Sequence, residues 1–124
     1  MIDFKNASYL KLKQINPSDV GSQVLNLLIP GETVISAYKS VRDSVVFTDK
    51  RFIAVNVQGI TGKKQDFTSM PYKKISVFSV ETAGTLDLDS ELELYFSGVG
   101  KVKFEFSGKS DIIQIGRLIS EHML

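Results

Sequence analysis

The stretch from Arg42 to Lys64, RDSVVFTDKRFIAVNVQGITGKK, most limits what this chain can fold into. Val45, Phe47 and Thr48 lead to a turn at Asp49-Lys50, and Ile53, Val55 and Val57 then recur at every second position. A period of two marks a strand with one buried face, because successive side chains leave a strand on opposite sides. Gly59-Ile60-Thr61-Gly62 follows, and glycine supplies the positive φ that a tight reversal uses. The stretch therefore predicts three short strands joined by two turns.

A chain of 124 residues can bury roughly two thirds of its unfolded surface in one core and stand without staples. It has no cysteine, which rules out a disulfide framework or a thiolate zinc site and leads us to expect a reducing, cytoplasmic setting. Lysines run through the N-terminal stretch with no apolar run of signal-peptide length, and nothing approaches the roughly 20 apolar residues of a membrane span. The net charge of +1 conceals an uneven distribution. Residues 39–74 carry eight basic side chains against three acidic ones, whereas residues 75–100 carry Glu81, Asp87, Asp89, Glu91 and Glu93 and no basic one. A basic half-sheet followed by an acidic one makes two complementary surfaces, to meet within one molecule or between copies.

Residues 1–15 are mixed in character and predict a short helix or an ordered arm. Asn16 can cap, Pro17 suits the first helical position, and Val20, Val24, Leu27 and Leu28 form one stripe, predicting a helix of about three turns. Pro30-Gly31 stops it, so residues 1–30 read as an N-terminal arm and helix and residues 31–124 as the domain proper. Strands are then expected at 33–41, 45–49, 51–58, 64–69, 74–82, 86–96 and 101–107. Seven strands in one block, with helices only outside it, predict a mainly β antiparallel barrel or sandwich rather than βαβ units. In the last hairpin Leu88, Leu92, Leu94 and Phe96 share one face, as do Val102, Phe104 and Phe106, so like faces align only across an odd loop. Gly98-Val99-Gly100 suits a three-residue form, and a five-residue loop also satisfies the parity. Ser110 or Asp111 then caps a helix with a stripe of Ile112, Ile115, Ile119 and Met123, widened by Leu118.

Seven antiparallel strands and a closing helix are the plan of the pleckstrin homology superfold. From Gly31 onward, FTDKR, VQGITGKK, PYKKI and VETAGTLDLDSEL in this order resemble the bacterial pleckstrin-homology-like family. The resemblance implies a partly open, orthogonally packed barrel closed by the last helix. It also implies assembly into a ring-shaped homo-oligomer, with five copies among the counts it admits.

Few residues suggest chemistry. Asp87, Asp89, Glu91 and Glu93 alternate along one expected strand about 6.6 Å apart, a line rather than the enclosing cage that a hard cation wants, so no metal is expected. GITGKK lacks the spacing and following helix of a phosphate loop and reads as a hairpin turn. A single histidine, His122, in the last turn of the final helix builds no triad or paired-histidine site, and we expect neither catalysis nor a cofactor. A pI near 7.9, with Phe47, Phe52, Phe67 and Tyr72 at core or edge positions, argues against nucleic acid.

The expectation is a non-catalytic scaffold that presents a polar surface to a protein partner. That surface would comprise Arg42, Asp43, Asp49, Lys50 and Arg51 from the first two turns and Gln58, Lys63 and Lys64 from the third, bordered by Glu81 and Asp87. Glu91 and Glu93 would lie at the oligomer interface, where the charge imbalance gives a head-to-tail contact two different patches. The alternative is an anionic lipid or small-anion module on the basic face of residues 39–74, with a first hairpin too short to wrap a headgroup.

Overall fold

The computed structural model describes residues 1–5, 7–108 and 110–124. Eight strands, β1 (Ala7–Ile15), β2 (Val34–Lys39), β3 (Ser44–Thr48), β4 (Arg51–Gln58), β5 (Lys64–Pro71), β6 (Val77–Glu81), β7 (Ser90–Phe96) and β8 (Gly100–Phe106), accompany helices α1 (Ser22–Leu27) and α2 (Ile112–Met123). They form one sheet in the order β5-β4-β3-β2-β1-β8-β7-β6. The class is the one expected, a mainly β half-barrel with a C-terminal helix, but with eight strands in place of seven.

The added strand is β1, where a short helix or arm was expected. It pairs antiparallel with β2 (Lys13↔Lys39, Gln14↔Tyr38, Ile15↔Ala37) and parallel with β8 (Ala7↔Val102, Tyr9↔Phe104, Leu12↔Phe106), so the sheet is not wholly antiparallel. Between Tyr9 and Leu12 the register with β8 slips by one residue. Lys11 has φ 58, alone among the described non-glycine residues in being positive, so the slip is a bulge that turns both Leu10 and Lys11 to solvent. Such a bulge is how one strand passes from one sheet direction to another.

Apolar side chains pack on both faces of the β2–β5 half. Inside, Tyr38, Phe47, Phe52, Leu92, Phe104 and Phe106 belong to the main core with Ile112, Ile115 and Ile119 of α2. Outside, Ala37, Val46, Ile53 and Val55 are covered by Val20 and Val24. The single buried face expected for 51–58 is therefore corrected: Phe52, Ile53, Ala54 and Val55 are all buried, because residues 16–28 cover the outer side. The expected three-turn helix is split there. A 3-10 turn at Pro17–Asp19, capped by Asn16 Oδ1 accepting from the Ser18 N–H at 2.9 Å, is separated from α1 by extended backbone at Val20 and Gly21.

The parity of the last hairpin holds, with Leu94↔Val102 and Leu92↔Phe104, but the loop is Ser97–Val99, one residue earlier than Gly98–Gly100. The expected strand 86–96 begins only at Ser90, since β6 ends at Glu81 and offers no partner to the residues before it. Leu88 is exposed there instead of sharing the core face. Asp111 rather than Ser110 caps α2, its Oδ1 accepting from the Gln114 N–H at 3.1 Å. Met123, at the end of the expected stripe, is only partly buried.

Residues 2–4 tie distant strands together. The Ile2 N–H donates to Thr68 Oγ1 on β5 at 3.0 Å, and the Phe4 carbonyl accepts from the Lys101 N–H on β8 at 3.0 Å. Gly100 makes this approach possible, because a Cβ there would collide with the Phe4 carbonyl oxygen and its φ is 140. Gly100→Ala is expected to lower the unfolding free energy by about 2 kcal/mol in urea titrations. Gly98→Ala, at φ 76 in open space, is expected to cost about 1 kcal/mol; equal losses would mean that the Phe4 contact contributes nothing.

Candidate functional site

The β2–β3 and β4–β5 turns meet at one end of the half-barrel. Ser40 opens the first turn, its hydroxyl donating to the Asp43 carbonyl at 3.1 Å. The Arg42 guanidinium reaches across to donate to the Gly59 carbonyl. Asp43 Oδ1 accepts from the Val57 N–H at 3.0 Å, so the two turns form one rigid piece. Gly59 and Gly62 have φ 75 and 69, the left-handed values that shape the second turn. Arg42, Asp43, Gln58, Lys63 and Lys64 are thus brought together. Beside them Tyr9, Asp43, Asn56, Gln58 and Asp66 bound a polar hollow of about 270 Å³. Burial, helped by Asp43 and Asp66, pushes the Tyr9 hydroxyl up.

Asp49, Lys50 and Arg51 do not join this group. They form the β3–β4 turn at the other end of β3, about 13 Å away along a strand of this length. Asp49 Oδ1 accepts from the Thr33 N–H at 2.9 Å. Arg51 forks onto Glu32 (Nε to Oε2 2.9 Å, Nη2 to Oε1 3.0 Å), the Leu27 carbonyl at 2.7 Å and Ser69 Oγ at 3.0 Å. The Glu32 side chain is 1% exposed. Burial by itself would raise its carboxyl, but hydrogen bonds from Arg51, the Thr48 hydroxyl and the Ile29 N–H outweigh this and hold it below the ordinary value. Sequence reasoning missed Glu32, whose only signal is its place after Pro30-Gly31.

The acidic segment is divided as well. Glu91 and Glu93 share one face of β7, with Glu91 Oε1 3.2 Å from Lys103 Nζ and Glu93 Oε1 3.0 Å from Lys101 Nζ. Glu81, Glu91 and Glu105 stand in one cross-strand row. Asp87 and Asp89 lie in the loop rather than on the strand, which corrects the expected line of four carboxylates. The Asp87 carboxylate accepts from the Asp89 N–H at 3.0 Å, and Asp89 pairs with Lys11 at 3.1 Å. Among the described residues no three His, Asp or Glu side chains gather as metal ligands. His122 Nδ1 lies 2.8 Å from the Leu118 carbonyl of its own helix. No helix among the described residues is long and apolar enough to cross a membrane. The aromatic residues Phe47, Phe52 and Tyr72 are core, and Tyr72 donates to the Thr48 carbonyl at 2.7 Å.

The sequence profile of the bacterial PH domain matches residues 3–123. The chain belongs to the bacterial PH domain family. This bacterial PH domain is 47% identical over 108 residues to the uncharacterised protein YjqA of Bacillus subtilis, covering 86% of each. In three dimensions it is similar to a protein with a pleckstrin-homology domain from Shewanella loihica, at TM-score 0.78 and 37% identity, over 93% of this chain and 99% of that one. A pleckstrin homology domain from Shewanella amazonensis matches at TM-score 0.65 and 40% identity, over 89% and 90% of the two chains.

The Arg51–Glu32 pair makes a pH prediction for this bacterial PH domain. Because folding depresses the Glu32 carboxyl, its stabilisation is complete above the ordinary glutamate value of 4.5 and is lost as pH falls through the lower folded value. Glu32→Gln is expected to cost about 2 kcal/mol at neutral pH and to flatten the loss of stability in acid. Parallel acid slopes in the two proteins, by thermal melting from pH 7 downward, would remove this role.

Proposed function

We propose that this bacterial PH domain is a non-catalytic cytoplasmic scaffold whose copies join into a closed ring. The ring presents the polar end around Arg42, Asp43, Gln58, Lys63 and Lys64 to a protein partner. The observation that carries the reading is the outer edge of β6, which ends the sheet and pairs with no further strand among the described residues. Val77, 62% exposed, and Tyr95, its cross-strand neighbour, stand in solvent beside that edge. Edges and exposed apolar side chains of this kind are what a neighbouring copy takes up. The attraction expected between the basic and acidic segments has a smaller part, because Glu91 and Glu93 are matched by lysines of their own chain. The anion-binding alternative needs one basic face, but Arg42, Lys63 and Lys64 lie at one end of β3 and Lys50 and Arg51 at the other.

Light scattering on dilute protein is expected to give a discrete multiple of 13.8 kDa that survives dilution. Val77→Lys, which places a charge on the edge, is expected to lower that mass, whereas reversing Glu91 and Glu93 leaves it unchanged. A monomer at every concentration would end the ring reading.

A further inference from the structure

We propose that the polar mouth of the half-barrel, at Tyr9, Asp43 and Asp66, is a binding site for a primary ammonium group. The site stands apart from the ring reading, because a single copy holds all of it. The inner faces of β4 and β5 change character along their length. Phe52 and Ala54 belong to the main core, and the period of two carries the same face on to Asn56 and Gln58. On β5 Met70 is core, and Thr68 and Asp66 follow it toward the mouth, with Asp66 directly opposite Asn56. The face that buries Phe52 therefore ends in carboxylate and amide groups around the hollow of about 270 Å³. Mouths of β-barrels are among the places where small ligands are held.

Tyr9 is the deciding residue. It is 7% exposed and its ring stacks on Phe104, with centroids 5.3 Å apart. Its hydroxyl borders the hollow and has no hydrogen-bond partner among the described residues. A buried hydroxyl left without a partner costs free energy that a ligand atom recovers. Asp43 and Asp66 lie close enough for their charge to bear on this hydroxyl, so the three groups face one space. Both carboxylates keep acceptor capacity: Asp43 Oδ1 is taken by the Val57 N–H at 3.0 Å and the Asn56 amide at 3.4 Å, which leaves Oδ2. Asp66 meets only the Met1 ammonium. No Lys or Arg borders the hollow among the described residues, although the segment that supplies Asp43 and Asp66 is basic. Such a site calls for a cation. Asp3 borders it as well, but among the described residues no three such side chains come together as a metal ion needs. A primary ammonium, with three N–H donors and no acceptor, matches Asp43 Oδ2, an Asp66 oxygen and the Tyr9 oxygen. The Met1 ammonium on Asp66 is a group of this kind at the rim, carried by a residue that is 87% exposed and held there by an ion pair in water. The ligand ammonium comes from a free alkyl amine or from a lysine side chain of a partner.

Two probes separate these sources, diaminobutane for a free amine and Nα-acetyl-lysine methylamide for a lysine side chain. Each is titrated at low salt while NMR follows the side-chain amides of Asn56 and Gln58 and the Val57 N–H. Saturable shifts of these signals are expected with at least one probe, and the one that saturates at lower concentration names the source. Tyr9→Phe, which keeps the ring on Phe104, and Asp66→Asn are each expected to raise the half-saturating concentration about tenfold. Tetramethylammonium, which has the charge but no N–H donor, is expected to leave the signals in place. Equal shifts with tetramethylammonium would mean general charge attraction and overturn the site, as would silence with both amines. A Tyr9→Phe protein that binds as the wild type does would also overturn it, and so would a response to magnesium in place of the amines. A wild-type monomer that binds the amine would remove the ring reading and leave this site standing.

Discussion

The backbone of Ala7–Ile15 has to satisfy partners on two sides that run in different directions, β2 antiparallel and β8 parallel. One extra residue at Lys11 makes this possible: the chain slips register, and the remainder of the strand continues in the other half of the sheet. Without β1 the β2–β5 and β6–β8 meanders would each present an open edge where they now share a strand. The main core depends on that continuity, because Phe104 and Phe106 from one half pack against Phe52, Tyr38 and Phe47 from the other. The bulge also sets the surface, since it turns Leu10 and Lys11 outward beside Lys13 and Lys39.

A second node fixes the opposite end. Arg51 joins the Leu27 carbonyl at the end of α1, the Glu32 carboxylate and the Ser69 hydroxyl of β5, and Thr48 donates to the same carboxylate. With Arg51 and Glu32 both largely buried, the pair does more to hold residues 16–32 on the outer face than to advertise charge. A basic residue in a turn looks available in sequence, but its exposure is decided by a carboxylate nineteen positions away.

Most of the fold was legible because β7 and β8 bury every second residue and β3 and β4 are short apolar runs bounded by turn residues. β1 was hidden because its bulge puts the buried Tyr9 and Leu12 three positions apart, a spacing nearer to a helix than to a strand. The loop before β7 misled in the opposite sense: Leu86, Asp87, Leu88 and Asp89 alternate as a strand does, but β6 is too short to pair with them. Counting charge by segment found two surfaces in the sequence. In space, Lys101 and Lys103 from the next strand and Lys11 from the first satisfy much of the acidic one. Of the candidate surface, Arg42, Asp43, Gln58, Lys63 and Lys64 converge, whereas Asp49 and Arg51 serve the frame.

The pairing of the first strand with the last has a consequence for synthesis. A ribosome delivers β2 to β5 early, and their contacts are local enough to form as soon as they emerge. Ala7–Ile15 emerges still earlier, but it also pairs with β8, the last strand of the sheet to emerge. Until then the inner faces of Phe47 and Phe52 lack the aromatic partners that Phe104 and Phe106 supply. The nascent chain therefore carries a half-paired strand and an uncovered core face until β8 emerges, and completion of the sheet is the event that hides both.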